Sequence, residues 1–195
     1  MRPLAIFILL VGTVAARQAR ALTRDTARVA MPDSVHRFPV VEGSNLEGRR
    51  FTLPRDFEGA LNVVLVAFQR EQQDDVDSWM PFLKAMTNGR DDLRVYELPT
   101  LGRGYRLMRP FIDGGMRRGI PDAAVRAATI TLYIDKGSFR GALGVPGEDC
   151  IYLLLVDREG RVWWRGEGAF DERAAGELAR RAGSPVGTGR GTSGG

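Results

Sequence analysis

The chain has 195 residues, 44% of them hydrophobic, and a formal net charge of +4. This length and composition predict one globular domain with a core large enough to fold alone. Arginines supply nearly all the positive charge and are interspersed with Asp and Glu, which argues against the clustered basic surface of a nucleic-acid-binding protein.

Thiol and imidazole side chains are scarce, with one cysteine, Cys150, and one histidine, His36. A single cysteine excludes an internal disulfide and a dithiol mechanism within one chain. One His and one Cys cannot build a usual zinc site, and the sequence contains no phosphate loop or dinucleotide motif. We therefore expect no metal and no cofactor, and we interpret His36 as a solvated linker residue rather than part of a catalytic triad.

The N-terminal segment has the pattern of a secretory signal. Residues 3–11 are apolar and follow Arg2, and residues 12–16 are small enough for cleavage. We therefore interpret residues 1–16 as a signal peptide or N-terminal anchor. This interpretation predicts an exported protein of the periplasm or cell envelope.

The arginines of the next segment keep alternatives open. Four of them lie in residues 17–28 and oppose export, because positive charge after the apolar run disfavours translocation. The alternatives are a membrane-anchored protein, a mitochondrial protein if the source is eukaryotic, and a cytoplasmic protein that starts at Met31. If the segment stays uncleaved, we expect its arginines to contact anionic lipid. Residues 17–37 lack a clear periodicity and are interpreted as a linker.

The domain is predicted to span residues 38–183. Residues 49–53 are expected to form a short edge strand that ends at Pro54. Residues 61–68 form a nearly continuous apolar, β-branched run. Such a run is typical of a central strand that is buried on both faces.

A helix is predicted to follow this strand. Asp74 or Asp75 is expected to cap it, because carboxylates favour a helix start. Pro81 lies inside the helix and is expected to kink it, and residues 88–89, Asn-Gly, end it. One face is predicted to be buried because apolar residues recur at helical spacing, at Val76, Trp79, Met80 and Leu83.

The remaining elements alternate between strands and helices before a tail. Residues 184–195 are rich in Gly, Ser and Thr and are interpreted as disordered. The element order mixes parallel crossovers with an antiparallel hairpin, which predicts a layered α/β fold. The predicted elements are strands at 93–99 and 129–134, a basic, interrupted helix at 103–118, a short helix at 121–128, a hairpin of 150–156 and 161–165, and a helix from Asp171 to Ala182.

This order resembles the thioredoxin-like superfamily, especially its exported TlpA and peroxiredoxin-like members. The resemblance implies an α/β fold, a mixed sheet with flanking helices in three α/β/α layers. In redox-active members, the first cysteine of Cys-x-x-Cys lies five residues after the Phe that ends the buried strand and eight before the helix proline. Counting from Phe68 and from Pro81 gives Gln73 in both cases. Gln73 and Val76 therefore stand where the cysteine pair would be.

The second redox signature is missing as well. The resemblance implies a cis-proline nine residues before the glycine of the final hairpin, and that count from Gly160 gives Ile151. Because both signatures are lost, we expect no redox centre and assign no catalytic residue. Cys150 precedes Ile151 and is interpreted as a small, buried residue. The alternative is a thiol that forms a mixed disulfide with a partner.

Three short motifs resemble a narrower family, the mitochondrial ATP synthase assembly factors. They are Phe38-Pro39, Trp79-Met80-Pro81-Phe82, and the segment from Tyr152 to Trp164. The resemblance implies a thioredoxin-like protein that lacks the dithiol and assists the assembly of a membrane subunit.

The combined interpretation is a non-catalytic binding or assembly factor for a membrane or envelope protein complex, with a protein partner. The competing function is a thiol-redox protein that acts through Cys150. Alternation along a strand predicts opposite faces for Trp163 and Trp164, so that one of them belongs to the core. The arginine stretch is either a docking patch or a solvated helix face. Candidate binding residues are Trp79, Trp163, Trp164 and Arg109, together with Arg106, Arg117 and Arg118.

Overall fold

The central strand β3 (Leu61–Ala67) is buried over its full length, as its apolar, β-branched sequence predicts. Successive side chains point to opposite faces. Val63 and Leu65 therefore join one apolar cluster, and Val64 and Val66 join a second cluster across the sheet. The computed structural model describes residues 37–183, and all structural statements below concern that part of the chain.

Seven strands form one mixed sheet around β3. The other strands are β1 (Val41–Asn45), β2 (Arg50–Leu53), β4 (Leu93–Gly102), β5 (Ile130–Ile134), β6 (Tyr152–Asp157) and β7 (Val162–Glu167). Their order across the sheet is β2-β1-β5-β4-β3-β6-β7. The strands β3, β4 and β5 run parallel, and the remaining pairs are antiparallel. The predicted edge strand and the predicted hairpin are confirmed as β2 and as β6 with β7.

Helices cover both faces of the sheet. They are α1 (Gln73–Thr87), α2 (Arg109–Gly119), α3 (Ala123–Ala128), α4 (Lys136–Leu143) and α5 (Glu172–Gly183). Apolar side chains of α1 and α5 pack in one cluster, and those of α4 pack in the other, on the opposite face. The fold is therefore the expected three-layer α/β/α arrangement. The predicted basic helix is interrupted close to Pro110, because the 3₁₀ helix Arg103–Met108 precedes α2. The second interruption, expected at Gly114-Gly115, is wrong, because α2 continues through both glycines.

The predicted buried face of α1 is confirmed, but the predicted N-cap is wrong. Val76, Trp79 and Leu83 are buried, and α1 continues past its internal proline to Thr87. The cap position, however, is Gln72, because the 3₁₀ helix Arg70–Gln72 runs directly into α1. The two aspartates expected to cap the helix lie in its first turn instead, where carboxylates favour the positive end of the helix dipole.

The strand β1 and the helix α4 were not predicted from the sequence, because neither has apolar residues at a clear strand or helix spacing. The strand β1 contains Gly43, where an added Cβ would lie 2.6 Å from the Leu132 side chain, so close packing on β5 requires glycine. The helix α4 contains two glycines and is fixed at its ends. The carboxylate of Asp135 accepts a hydrogen bond from the Ser138 amide at 2.7 Å, and Gly144 ends the helix at φ 65°.

The predicted signal segment, most of the predicted linker and the predicted tail lie outside the described residues. The predicted N-cap of the last helix is confirmed, since the Asp171 carboxylate accepts a 2.9 Å hydrogen bond from the Ala174 amide. Within residues 37–183, none of the helices combines the length and apolar character needed to cross a membrane.

Candidate functional site

The candidate site lies where β3 ends, α1 begins and the loop before β6 approaches them. Gln73 is the first residue of α1, and its exposed side-chain amide donates a 3.0 Å hydrogen bond to Asp77. Val76 and Ile151 are both fully buried and belong to one apolar cluster. The structure thus places Val76 and Ile151, from distant parts of the chain, in the same cluster beside the turn that begins with Gln73.

A second glutamine, Gln72, closes the turn between β3 and α1. It is buried, and its Oε1 accepts hydrogen bonds from the backbone amides of Phe68, at 2.8 Å, and Gln69, at 3.2 Å. Its Nε2 donates to the backbone carbonyl of Glu148 at 2.6 Å, and Nε2 of Gln69 donates to the same carbonyl at 2.8 Å. The turn is therefore bonded both to itself and to the loop before β6.

The carboxylate of Glu148 anchors that loop to α4. It forms ion pairs with Lys136 and with Arg140, the latter at 3.3 Å. The Lys136 ammonium also lies 5.9 Å from the centre of the Phe68 ring, at the end of β3. The charged and amide side chains between the turn before α1, the loop before β6 and α4 thus form hydrogen bonds and ion pairs that hold these three parts of the fold together. The sequence signal for the turn itself was a pair of glutamines three residues apart at a helix start, which has the form of a capping box.

The single thiol, at Cys150, is half-buried and packs against the apolar cluster on the α4 face. Burial raises the pKa of the Cys150 thiol, a hydrogen bond with Tyr152 lowers it, and the carboxylates of Glu167, Asp149 and Asp75 raise it further. A thiol with a raised pKa stays protonated at neutral pH and is a poor nucleophile. The surroundings of Cys150 are therefore opposite in charge to those that activate a redox cysteine.

The first turn of α1 carries two carboxylates, those of Asp74 and Asp75. The helix dipole stabilises negative charge at this end, and here the two carboxylates use it. Among residues 37–183, no group of three or more His, Cys, Asp or Glu side chains is arranged to hold a metal ion.

Two of the tryptophans considered for binding belong to the core. Trp79 is fully buried, its indole N–H donates a 3.0 Å hydrogen bond to the Gly168 carbonyl, and its ring lies 5.2 Å from that of Phe170. Trp164 is also buried and joins the same apolar cluster. Both rings therefore stabilise the packing of α1 and α5 on the sheet.

The third tryptophan, Trp163, packs on the same side as Trp164, so the prediction of opposite faces is wrong. The register of β6 and β7 shifts between Leu155 and Val156, which leaves Trp163 as an extra residue in a β-bulge. Its half-buried ring packs against the cluster that contains Trp164, and its N–H donates a 3.0 Å hydrogen bond to the Asp157 carboxylate.

Arg109 holds α2 against the sheet. Its Nε donates a 3.1 Å hydrogen bond to one carboxylate oxygen of Asp113, and the Tyr133 hydroxyl donates to the other at 2.8 Å. The guanidinium also lies 5.7 Å from the centre of the Tyr133 ring. Burial, followed by the Asp113 carboxylate, raises the pKa of Tyr133. Arg117 is also engaged, in a 3.2 Å ion pair with Glu47.

No protein-family model matches the sequence, and no curated protein matches it significantly. Solved structures do match. The exposed lipoprotein thioredoxin of Streptococcus pneumoniae is 15% identical at a TM-score of 0.50, covering 73% of this chain and 98% of its own. A putative DsbE thiol:disulfide interchange protein of Chlorobium tepidum is 17% identical at 0.50, covering 78% of this chain and 96% of its own.

A third similar structure is a member of the Sco family of cytochrome c oxidase assembly proteins. It is 10% identical at a TM-score of 0.54, and the match covers 77% of this chain and 94% of the Sco protein. None of these findings supports the narrower resemblance to the ATP synthase assembly factors. At such low identity they establish the architecture alone. Residues 37–183 therefore have a thioredoxin-like fold.

Proposed function

We propose that this protein is a non-catalytic thioredoxin-like factor of the cell envelope, which binds and helps to assemble a membrane or envelope protein complex. One observation carries the proposal. The first turn of α1, which would expose a nucleophilic cysteine, begins with Gln73. The preceding residue, Gln72, is committed to hydrogen bonds within the turn between β3 and α1 and to Glu148.

Thiol–disulfide exchange needs a thiolate that can reach the partner's sulfur atom. The chain has only Cys150, whose pKa is raised by burial and by neighbouring carboxylates. A framework that keeps its sheet and helices but lacks an activated thiol retains surfaces for binding. We therefore favour a binding role over the thiol-redox alternative.

The similar structures support an envelope and assembly role by analogy. One of them is described as an exposed lipoprotein, and another belongs to a family of cytochrome c oxidase assembly proteins. The apolar run at residues 3–11 is in keeping with export. A shared fold favours a role of this kind, and the protein that is bound must be identified by experiment.

Crosslinking tests the proposal. Membranes from cells that make the protein at native abundance are treated with a mild amine-independent crosslinker, since the chain has only two lysines, Lys84 and Lys136. Captured proteins are identified by mass spectrometry. We expect one specific envelope protein to be captured equally by the wild type and by Cys150→Ser.

Two results would contradict the proposal. Recovery of no specific partner would argue against an assembly role. Capture that disappears in Cys150→Ser, and that reducing agent reverses without any crosslinker, would show a mixed disulfide and favour the thiol-redox alternative.

A further inference from the structure

An exposed segment of mixed apolar and basic character connects β4 to α3. Leu107 is 92% exposed and Phe111 is 75% exposed, values that a soluble surface seldom shows for neighbouring large apolar side chains. We call six of the exposed residues of this segment the basic apolar face. It consists of Arg103, Arg106, Leu107, Met108, Phe111 and Arg118.

The orientation of α2 is fixed by contacts on its inner side. The hydrogen bonds of Asp113 with Arg109 and Tyr133 hold that side against β5. Phe111 and Arg118 are seven residues apart, which places them on one side of the helix, and both are exposed. The part of the basic apolar face that lies on α2 is thus held outward by the fold.

Part of the positive charge of this face is unpaired, although Arg103 interacts electrostatically with the Asp135 carboxylate. Within residues 37–183, neither Arg106 nor Arg118 forms an ion pair. The only acidic residue of segment 103–119 is Asp113, and both of its carboxylate oxygens are already occupied by Arg109 and Tyr133. A partner for this face must therefore bring negative charge and also accept apolar side chains.

We propose that the basic apolar face docks on the surface of a bilayer that contains anionic phospholipid. The phosphate groups of such a surface complement Arg106 and Arg118, and its interfacial region accepts Leu107 and Phe111. Cationic residues beside exposed aromatic and aliphatic side chains are the composition of segments that lie in the membrane interface. The inference goes beyond the proposed assembly role and requires no protein partner.

Vesicle partitioning of the full-length chain tests this proposal. The probe is a vesicle of equal parts phosphatidylcholine and phosphatidylglycerol, and the reference is a vesicle of phosphatidylcholine alone. We expect Arg106→Gln with Arg118→Gln to lower the partition coefficient more than about tenfold, since each cation near an anionic surface contributes about 1 kcal/mol. Leu107→Ser with Phe111→Ser should lower it by about tenfold through the loss of inserted apolar area.

A matched control makes the same chemical changes elsewhere. Val40 is 77% exposed, and the Arg173 side chain on α5 is 82% exposed. Val40→Ser with Arg173→Gln should leave partitioning unchanged. Residues 1–36 are present in every variant, so differences between variants report the basic apolar face, and circular dichroism verifies that each variant is folded.

A local probe separates this face from any other lipid contact of the chain. In a Cys150→Ser background, an environment-sensitive dye is attached at Leu107→Cys or, as a reference, at Arg173→Cys. We expect a blue shift of the emission at position 107 with anionic vesicles only, and no shift at position 173. Equal partitioning of all variants, or an unshifted dye at position 107, would overturn the proposal even if an acidic protein binds the same face.

Discussion

The side-chain amide of Gln72 donates a 2.6 Å hydrogen bond to the backbone carbonyl of Glu148, which joins the turn before α1 to the loop before β6. These residues are 76 positions apart in the sequence. Because Gln72 Oε1 also accepts a hydrogen bond from the Phe68 amide, the contact fixes the loop before β6 against the end of β3.

Replacing Gln72 should cost stability, since Gln72→Ala leaves the buried amide of Phe68 without its acceptor. We expect the free energy of unfolding to fall by about 2 kcal/mol, the cost of an unsatisfied buried donor. Chemical denaturation followed by tryptophan fluorescence measures the change. Gln73→Ala is the matched control, since the Gln73 side chain is exposed and bonds only to Asp77, and it should change stability by less than about 0.5 kcal/mol.

The carboxyl group of Glu97, on β4, should make stability depend on pH. Burial, and then the Asp77 carboxylate, raises the pKa of Glu97 from 4.5 to about 7. The folded state therefore favours the neutral acid, whereas the unfolded chain ionises it above its ordinary pKa. Stability should fall as the pH rises from about 4.5 to 7 and then level off, with a total change of about 3 kcal/mol.

Glu97→Gln tests this dependence because it keeps the shape and removes the charge. The variant should be more stable than the wild type at pH values above the raised pKa and similar to it in acid. Urea unfolding across that interval measures the difference. Glu71→Gln is the control, because it removes the same charge from an exposed side chain. An identical dependence of stability on pH for the wild type and Glu97→Gln would contradict the raised pKa of Glu97.

The regular elements were predictable where the sequence carries a strong apolar pattern. The run of β3 and the helical spacing of Val76, Trp79 and Leu83 both report burial directly. The strand β1 and the helix α4 could not be predicted in the same way. They contain glycines and few apolar residues, and contacts with β5 and end caps at Asp135 and Gly144 define them instead.

The sequence predicted where the candidate site lies, but it did not predict the side-chain contacts within it. Counting from Phe68 and Pro81 placed Gln73 correctly at the first turn of α1. The contact between Gln72 and Glu148 joins two loops across the fold, and no local pattern in the sequence reports such a contact. The packing of Trp163 was missed for a similar reason, because strand alternation does not reveal a β-bulge.

The buried carboxylate of Asp157 should be a major stabilising group of the final hairpin. It is 2% exposed, and it accepts hydrogen bonds from the backbone amide of Arg161 at 2.8 Å and from the Trp163 indole at 3.0 Å. Asp157→Ala should lower the free energy of unfolding by about 3 kcal/mol in thermal or urea unfolding. Glu159→Ala, at a side chain 64% exposed, should change it by less than about 0.5 kcal/mol, and equal losses would refute this role.

The correspondence of Gln73 and Val76 with the cysteine pair can be tested by restoring the thiols. In a Cys150→Ser background, Gln73→Cys with Val76→Cys places two thiols three residues apart in the first turn of α1, where residues at this spacing are neighbours within disulfide reach. With oxidised glutathione as the oxidant, we expect an intrachain disulfide, seen as a loss of two hydrogens by mass spectrometry. Asp74→Cys with Val76→Cys is the control, because side chains two residues apart diverge on a helix. Failure of the 73/76 pair to oxidise would contradict the correspondence.

The central claim is that this thioredoxin-like protein does not catalyse thiol–disulfide exchange. The most direct test measures the rate at which dithiothreitol reduces the disulfides of insulin in the presence of the purified full-length protein. We expect the wild type to leave this rate at its uncatalysed value, because Cys150 is half-buried and its pKa is raised. A rate that rises in proportion to wild-type protein, and that returns to the uncatalysed value with Cys150→Ser, would contradict this account.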